Sequence, residues 1–269
     1  MINAVAKKKT NWAEEAWQLF LLALAVLGVH TAVAKPFYIP SGSMLPGLLV
    51  GDRLIVSKFP YGYSYLSPSL NLLPVMKGRL FGSLPERGDI VVVKSPIAQD
   101  DWIKRVIGLP GDTVQMKDGQ LWLNGQPVPK VKVADTIMAI TPNSDCASFV
   151  DAQYRVVTPD GRGECHMPTY RETLPSGRSY LVHDLANLPQ DNTEPVIVPE
   201  GQLFLMGDNR DNSEDSRFAA EIGGLGLLPV ENVVGRAEFT TFSLDGSTSF
   251  NPVTWVTALR DRWFVSLRR

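Results

Sequence analysis

The chain has 269 residues, of which 44% are hydrophobic, 20% charged and 9% aromatic. This composition can bury a core and excludes a disordered or collagen-like chain. A net charge of −2 leaves no general basic field, so a nucleic-acid partner has no electrostatic footprint.

Taken in chain order, the first feature is the uncharged run Ala16 to Ala34 (AWQLFLLALAVLGVHTAVA), 19 residues long. As a helix it spans roughly 28 Å, close to the hydrocarbon thickness of a bilayer. Residues 1–15 carry Lys7, Lys8 and Lys9, offset in part by Glu14 and Glu15. This bias predicts a cytoplasmic N-terminus, a transmembrane anchor over 16–34 and export of everything from Lys35 on. A cleavable signal peptide ending at Ala32-Val33-Ala34 is the rival reading. The apolar run exceeds the ~7–15 residues of such a segment, which favours a retained anchor.

Beyond the anchor the patterning predicts a mostly β fold, and Gly 22 with Pro 20 supply its turns. Residues 60–86 hold Tyr61, Tyr63, Tyr65, Leu66, Leu70, Leu72, Leu73, Val75, Met76, Leu80 and Phe81 with few charges. They read either as a hairpin packed on the core or as an apolar ribbon resting on lipid. Asp89 to Lys94 and Trp102 to Ile107 are β-branched strand runs. Asp118-Gly119 and Asn124-Gly125 flank Gln120 to Leu123 as hairpin signals. Val196 to Met206 reads as one or two strands broken at Pro199-Glu200-Gly201. Residues 113–199 change character and are read as an inserted β subdomain. The catalytic β domain is then discontinuous, over 35–112 and 200–269. Within the insertion, Cys146 and Cys165 either form a disulfide or stay unpaired. Trp255 to Arg269 mixes aromatics with arginines, which suits either a headgroup-layer segment or a last element packed on the domain.

Several common catalytic patterns are missing. There is no G-x-S-x-G elbow, no H-E-x-x-H and no phosphate-binding P-loop motif. His166 and His183 lie in the Pro-rich insertion, neither beside a promising Ser, so a Ser-His-Asp triad is not supported. With His30 in an apolar run, only His166, His183, Cys146 and Cys165 remain as soft ligands, and no metal or cofactor is expected. Asp208 to Asp215 resembles a calcium loop, yet its sixth position is Ser213 rather than Gly and its twelfth is Ala219 rather than Glu. What remains is a Ser and a Lys. Pro40-Ser41-Gly42-Ser43-Met44-Leu45-Pro46 sets two serines around a Gly, and Lys104 lies inside an apolar strand. In a dry site the Lys pKa falls from about 10.4, and a neutral amine can serve as general base for a Ser hydroxyl.

These residues resemble the bacterial type I signal peptidases (leader peptidases), membrane-anchored endopeptidases with a Ser/Lys dyad. The resemblance rests on five motifs in order: Phe37 to Met44 just after an anchor, Gly51 to Lys58 with Tyr61-Gly62, Arg87 to Val92, Ile103 to Asp112, and Met206 to Arg217. It implies Ser43 as nucleophile and Lys104 as general base. The Ser43 N–H and the Ser41 hydroxyl would form the oxyanion hole. Ser213 would hydrogen-bond Lys104, while Asp215, Arg217, Asp208 and Asn209 would hold the surrounding loop. Ile39, Met44, Leu48 and Ile103 would line small substrate pockets. The implied partners are exported preproteins and membrane lipid, with cleavage after an A-x-A site. The implied place is the bacterial cytoplasmic membrane, crossed once, with the catalytic domain on its outer face. The chain departs from the best-known pattern in having one apparent anchor and Trp102 where Tyr is common. A LexA-like self-cleaving protein would share the Ser/Lys pair but needs a basic DNA-binding module. A non-catalytic exported binding or assembly protein would leave Lys104 exposed and strongly basic.

Overall fold

The computed structural model describes residues 11–68, 74, 76–146 and 151–268. Lys7, Lys8 and Lys9, and Leu70, Leu72, Leu73 and Val75 of the apolar ribbon, lie outside the described residues. The chain opens with α1 (Trp12–Ala32), 21 residues without a buried side chain. Its length and hydropathy suffice to cross a membrane. A helix apolar on most sides is normally buried in a large core or in a membrane, and this one buries no side chain against the rest of the chain. It starts four residues before Ala16 because Glu14 and Glu15 fall in its first turn, where the helix dipole favours acids. It stops before Ala34 because that residue already pairs with Ser57 in a sheet.

The strands that follow are β1 (Ala34–Tyr38), β2 (Asp52–Ser57), β3 (Ile90–Lys94), β4 (Asp101–Gly108), β5 (Thr113–Lys117), β6 (Gln120–Leu123), β7 (Gln126–Pro127), β8 (Lys130–Lys132), β9 (Thr136–Ala139), β10 (Arg155–Val157), β11 (Gly163–Met167), β12 (Thr169–Thr173), β13 (Ser179–His183), β14 (Val196–Ile197), β15 (Gln202–Met206), β16 (Leu228–Pro229) and β17 (Val233–Leu244). A short helix α2 (Pro252–Thr257) and β18 (Leu259–Arg260) end the chain. The main sheet runs β1-β2-β17-β3-β4-β15-β16, with β18 on β17. Three small sheets, β14-β5-β6-β7, β13-β12-β8 and β10-β11-β9, are built from residues 113–199. Val196 pairs with Val114, so the two ends of that segment lie side by side.

β3 shows why a continuous apolar run forms a strand here. Ile90 and Val92 enter one core cluster with Leu54, Val56 and Ile103. Val91 and Val93 enter another with Val106, Leu203 and Leu205. Alternate side chains leave opposite faces of a strand, and this sheet is covered on both. Pro199 to Gly201 separates β14 from β15, as the sequence pattern suggested. Cys146 and Cys165 form a disulfide with a Cα–Cα distance of 6.1 Å, packed against Leu45 and Met167.

The described part of residues 60–86 divides between packed and exposed side chains. Tyr61 is buried and its hydroxyl donates to Asp89 at 2.7 Å, while Tyr63 bridges to Leu80. Met76, Leu80, Phe81 and Leu84 stay exposed, Phe81 at 83%. The C-terminal stretch is likewise divided. Arg262 pairs with Asp52, and Trp263 and Phe264 meet Phe242 and Phe239, whereas Phe250, Val253, Trp255 and Val256 face outward.

Candidate active site

The loop between β1 and β2 is closed by the Ile39 N–H on Asp52 O and the Gly51 N–H on Ile39 O, each 2.9 Å. Ile39, Met44 and Leu48 drive their side chains into the core and so pin the loop. Ser43, flanked by Met44, is thereby held at the surface of the sheet with 9% exposure. Lys104 comes from β4, where it pairs with Val91 in the middle of the sheet. Its Nζ lies 3.0 Å from Ser43 Oγ, within a hydrogen bond. Lys104 is only 4% exposed. Burial pushes its pKa down to about 8, against the pull of Asp215, Glu214 and Asp208. An amine near this value is neutral in a usable fraction of molecules at neutral pH, which ordinary lysine is not. Trp102 covers it, with its ring centroid 5.4 Å from Nζ.

The segment after β15 supports this pair. The Asn209 N–H donates to Ser43 O at 3.0 Å, and Asn209 Nδ2 donates to Gly42 O at 3.2 Å. Gly207 admits no side chain, since a Cβ there would fall 2.2 Å from Ser213 Oγ and 2.5 Å from Ser43 O. Arg217 grips Asp215, with Nε to Oδ1 at 2.9 Å, and Asp215 also accepts from the Gly207 N–H at 3.0 Å. Burial alone would raise the Asp215 pKa, but the Arg217 guanidinium and these bonds hold it below the usual carboxylate range. Asp208 makes a two-point ion pair with Arg105, at 2.7 and 2.6 Å, which fixes the residue next to Lys104.

Two of the expected arrangements are not seen in this structure. Ser213 is buried beside the dyad, but its Oγ has no hydrogen-bond partner among the described residues, so the bond to Lys104 is not formed in this geometry. Of the four residues expected to line pockets, Ile103 borders the cleft, whereas Ile39, Met44 and Leu48 lie in the core behind it. The cleft measures about 690 Å³, and its apolar wall is completed by Pro40, Trp102 and Phe218. Ser41 stands exposed at its edge.

Other support was invisible in the sequence. Glu172 of β12 is wholly buried and pairs with Arg210 at 2.7 and 2.5 Å. Tyr180 of β13 donates to Glu172 at 2.9 Å and stacks under Arg105, 4.2 Å from the ring centroid. The His183 N–H donates to Asp208 O at 2.9 Å. Residues 113–199 thus buttress the loop that packs against Ser43 and Lys104. Neither candidate histidine takes part. His183 is buried, and desolvation lowers its pKa to about 4, while His166 faces Glu164 on a small sheet. Among the described residues Asp184, Asp191 and Asp211 bring carboxylate oxygens within 4.8 Å of one another, with the Lys130 ammonium against Asp184.

The sequence profile of the family described as "Signal peptidase, peptidase S26" matches residues 11–242. The signal peptidase I of Rickettsia typhi is 36% identical over 244 residues, covering 87% of this chain and 81% of that protein. The signal peptidase I of Rickettsia bellii (strain OSU 85-389) is 34% identical over 251 residues, covering 90% and 77%. A crystal structure of a signal peptidase I from Enterococcus faecalis V583 is 27% identical and aligns with 57% of this chain and 97% of that one, with a TM-score of 0.30.

Proposed function

The chain belongs to the signal peptidase family, peptidase S26, and we propose that it is a membrane-anchored serine endopeptidase that removes signal peptides from exported preproteins. The observation that carries this reading is the 3.0 Å contact between Ser43 Oγ and a buried Lys104 whose amine titrates near 8. Neutral Lys104 takes the proton as Ser43 Oγ attacks the scissile carbonyl. The oxyanion is received by the Ser43 N–H and the Ser41 hydroxyl. The Lys104 ammonium then protonates the leaving amine, and the same group, neutral again, activates the water that frees the acyl-enzyme. A non-catalytic binding protein would have no use for a desolvated lysine on a serine. Among the described residues neither His166 nor His183 hydrogen-bonds Ser43 to replace it.

A substrate bound as an added strand presents alternate side chains to one face. Shallow walls at Ile103 and Trp102 then read the residues one and three before the cut, which yields A-x-A. Residues 35–112 and 200–269 act as the catalytic unit, with 113–199 inserted to brace it. The disulfide fits an oxidising compartment outside the cytoplasmic membrane. The anchor is built into the domain: the Lys58 N–H donates to Val33 O and the Tyr63 hydroxyl to Ala32 O. A segment tied in this way is suited to be retained rather than removed at Ala34. Alkaline carbonate washing should leave the chain in the membrane pellet, and protease added to spheroplasts should digest the exported part. A soluble product beginning at Lys35 contradicts the anchor.

The test of the activity is incubation of the purified full chain with a preprotein and sequencing of the new N-terminus, which should follow an A-x-A site. Ser41 supplies a sharper check. A hydroxyl aimed at the oxyanion acts on the transition state more than on the neutral carbonyl. Ser41→Ala should therefore lower kcat about 10²–10³-fold with little change in KM. Ser41→Thr should recover part of the rate. A Ser41→Ala enzyme within about threefold of the parent, under ~1 kcal/mol, removes Ser41 from the oxyanion hole.

A further inference from the structure

Lys104 is not the only buried lysine. Lys58, at the end of β2, is 1% exposed. Its Nζ donates to Ser67 O at 2.6 Å, and among the described residues this engages one of the three ammonium protons. Burial first, and then the nearby Lys35 charge, lower its pKa to about 8, while Asp101 pulls it up. Lys35 and Lys94 border the same small recess, which also meets Leu66 and Val234. Among the described residues Asp101 is the only carboxylate lining it, and it is shared with Lys94 at 3.1 Å. Three lysines thus border a space with one carboxylate among the described residues, and of the three Lys58 is deeply buried, where charge is costly unless it is compensated. None of the three lysines serves the dyad.

The place of the recess says what could compensate them. The Lys58 N–H donates to Val33 O, the residue that caps α1, and Ala34 pairs with Ser57. The recess therefore lies where the chain leaves the apolar helix, at the level of lipid headgroups. Leu66 and Val234 give an apolar wall beside the charges, which suits an amphipathic ligand better than a free ion.

We propose that Lys35, Lys58 and Lys94 bind the phosphate group of an anionic phospholipid. This rests on the membrane-anchored reading above. Lysines bind phosphate as point charges without demanding a fixed geometry, and basic groups at the surface are drawn to anionic lipid. A headgroup held here sets the height and tilt of the domain over the bilayer, and with them the position of the cleft.

The test uses the full chain in a nonionic detergent, titrated with phosphatidylglycerol, phosphatidylcholine or inorganic phosphate, with bound lipid counted by native mass spectrometry. One phosphatidylglycerol should be retained about tenfold more tightly than phosphatidylcholine, the scale expected when one or two lysine contacts are gained. Lys58→Met should abolish the preference. Because that variant alters a buried group, the Lys35→Gln/Lys94→Gln double variant serves as a second arm, and it should reduce the preference about fivefold or more with an unchanged circular dichroism spectrum. Equal retention of the two lipids by the parent, or a full preference in both variants, overturns the site. Inorganic phosphate that displaces phosphatidylglycerol at equal concentration overturns the lipid assignment in favour of a soluble phosphate. Carbonate washing separates this site from the anchor: a chain that stays in the pellet yet shows no preference loses only the site, and a chain that is washed out loses the anchor.

Discussion

Ser43→Ala should give a folded, membrane-bound protein that cleaves no preprotein. On the proposed mechanism the nucleophile and its base act as one unit, so removing the hydroxyl leaves the amine with nothing to deprotonate, and the loss should reach about 10⁴-fold or more. The fold should survive, because the loop is held by the core side chains of Ile39, Met44 and Leu48 and by the Asn209 bond to Ser43 O, none of which involves Oγ. The lost Lys104 bond costs on the order of 1–2 kcal/mol. A thermal melt beside a gel-based cleavage assay checks both halves. Cleavage by Ser43→Ala at more than about a hundredth of the parent rate assigns the nucleophile elsewhere.

The second large effect concerns the base. Lys104→Arg keeps a long cation and loses the proton acceptor, since a guanidinium stays protonated at every working pH. It should be as inactive as Ser43→Ala. Combining the two substitutions should add little to either alone, which a double-mutant comparison of kcat/KM reads directly. An active Lys104→Arg enzyme would mean that Lys104 only places charge near the serine.

The Ser43–Lys104 contact was legible because its carriers are short and local. Two serines around Gly42 between prolines, and a lysine inside an apolar strand, are odd enough in sequence to need a reason. β3 was legible for a similar cause, since four consecutive β-branched residues can only be satisfied in a sheet covered on both faces. The brace was not. Glu172 lies in Thr169–Thr173, which reads as an ordinary half-buried strand, and its partner Arg210 is 38 positions away. Only the register of β12 against β13, and the seating of both beside the loop after β15, makes that acid internal. The seating of Ile39, Met44 and Leu48 in the core behind the cleft was hidden for a related reason. Side chains on either side of Ser43 point into the core, and neighbours in sequence do not show which face of a loop they occupy. Ser213 shows the limit of a motif: it lines the same cleft as Lys104, but its hydroxyl makes no hydrogen bond among the described residues.

The ionisation of Lys104 carries the account, and the pH dependence of kcat/KM on a soluble preprotein substrate measures it in the free enzyme. The neutral amine is the active form, so the rate should be high above the Lys104 pKa and fall about tenfold for each unit below it. The bend should lie near pH 8. Among the other buried groups, His183 titrates near 4 and Asp215 below the usual carboxylate range, so neither produces that bend; Lys58 also titrates near 8 but lies outside the Ser43–Lys104 pair, so Lys58→Met should leave the bend in place. The account predicts a single acid limb near pH 8. A rate that stays flat from pH 9 down to pH 6 would contradict a lysine general base.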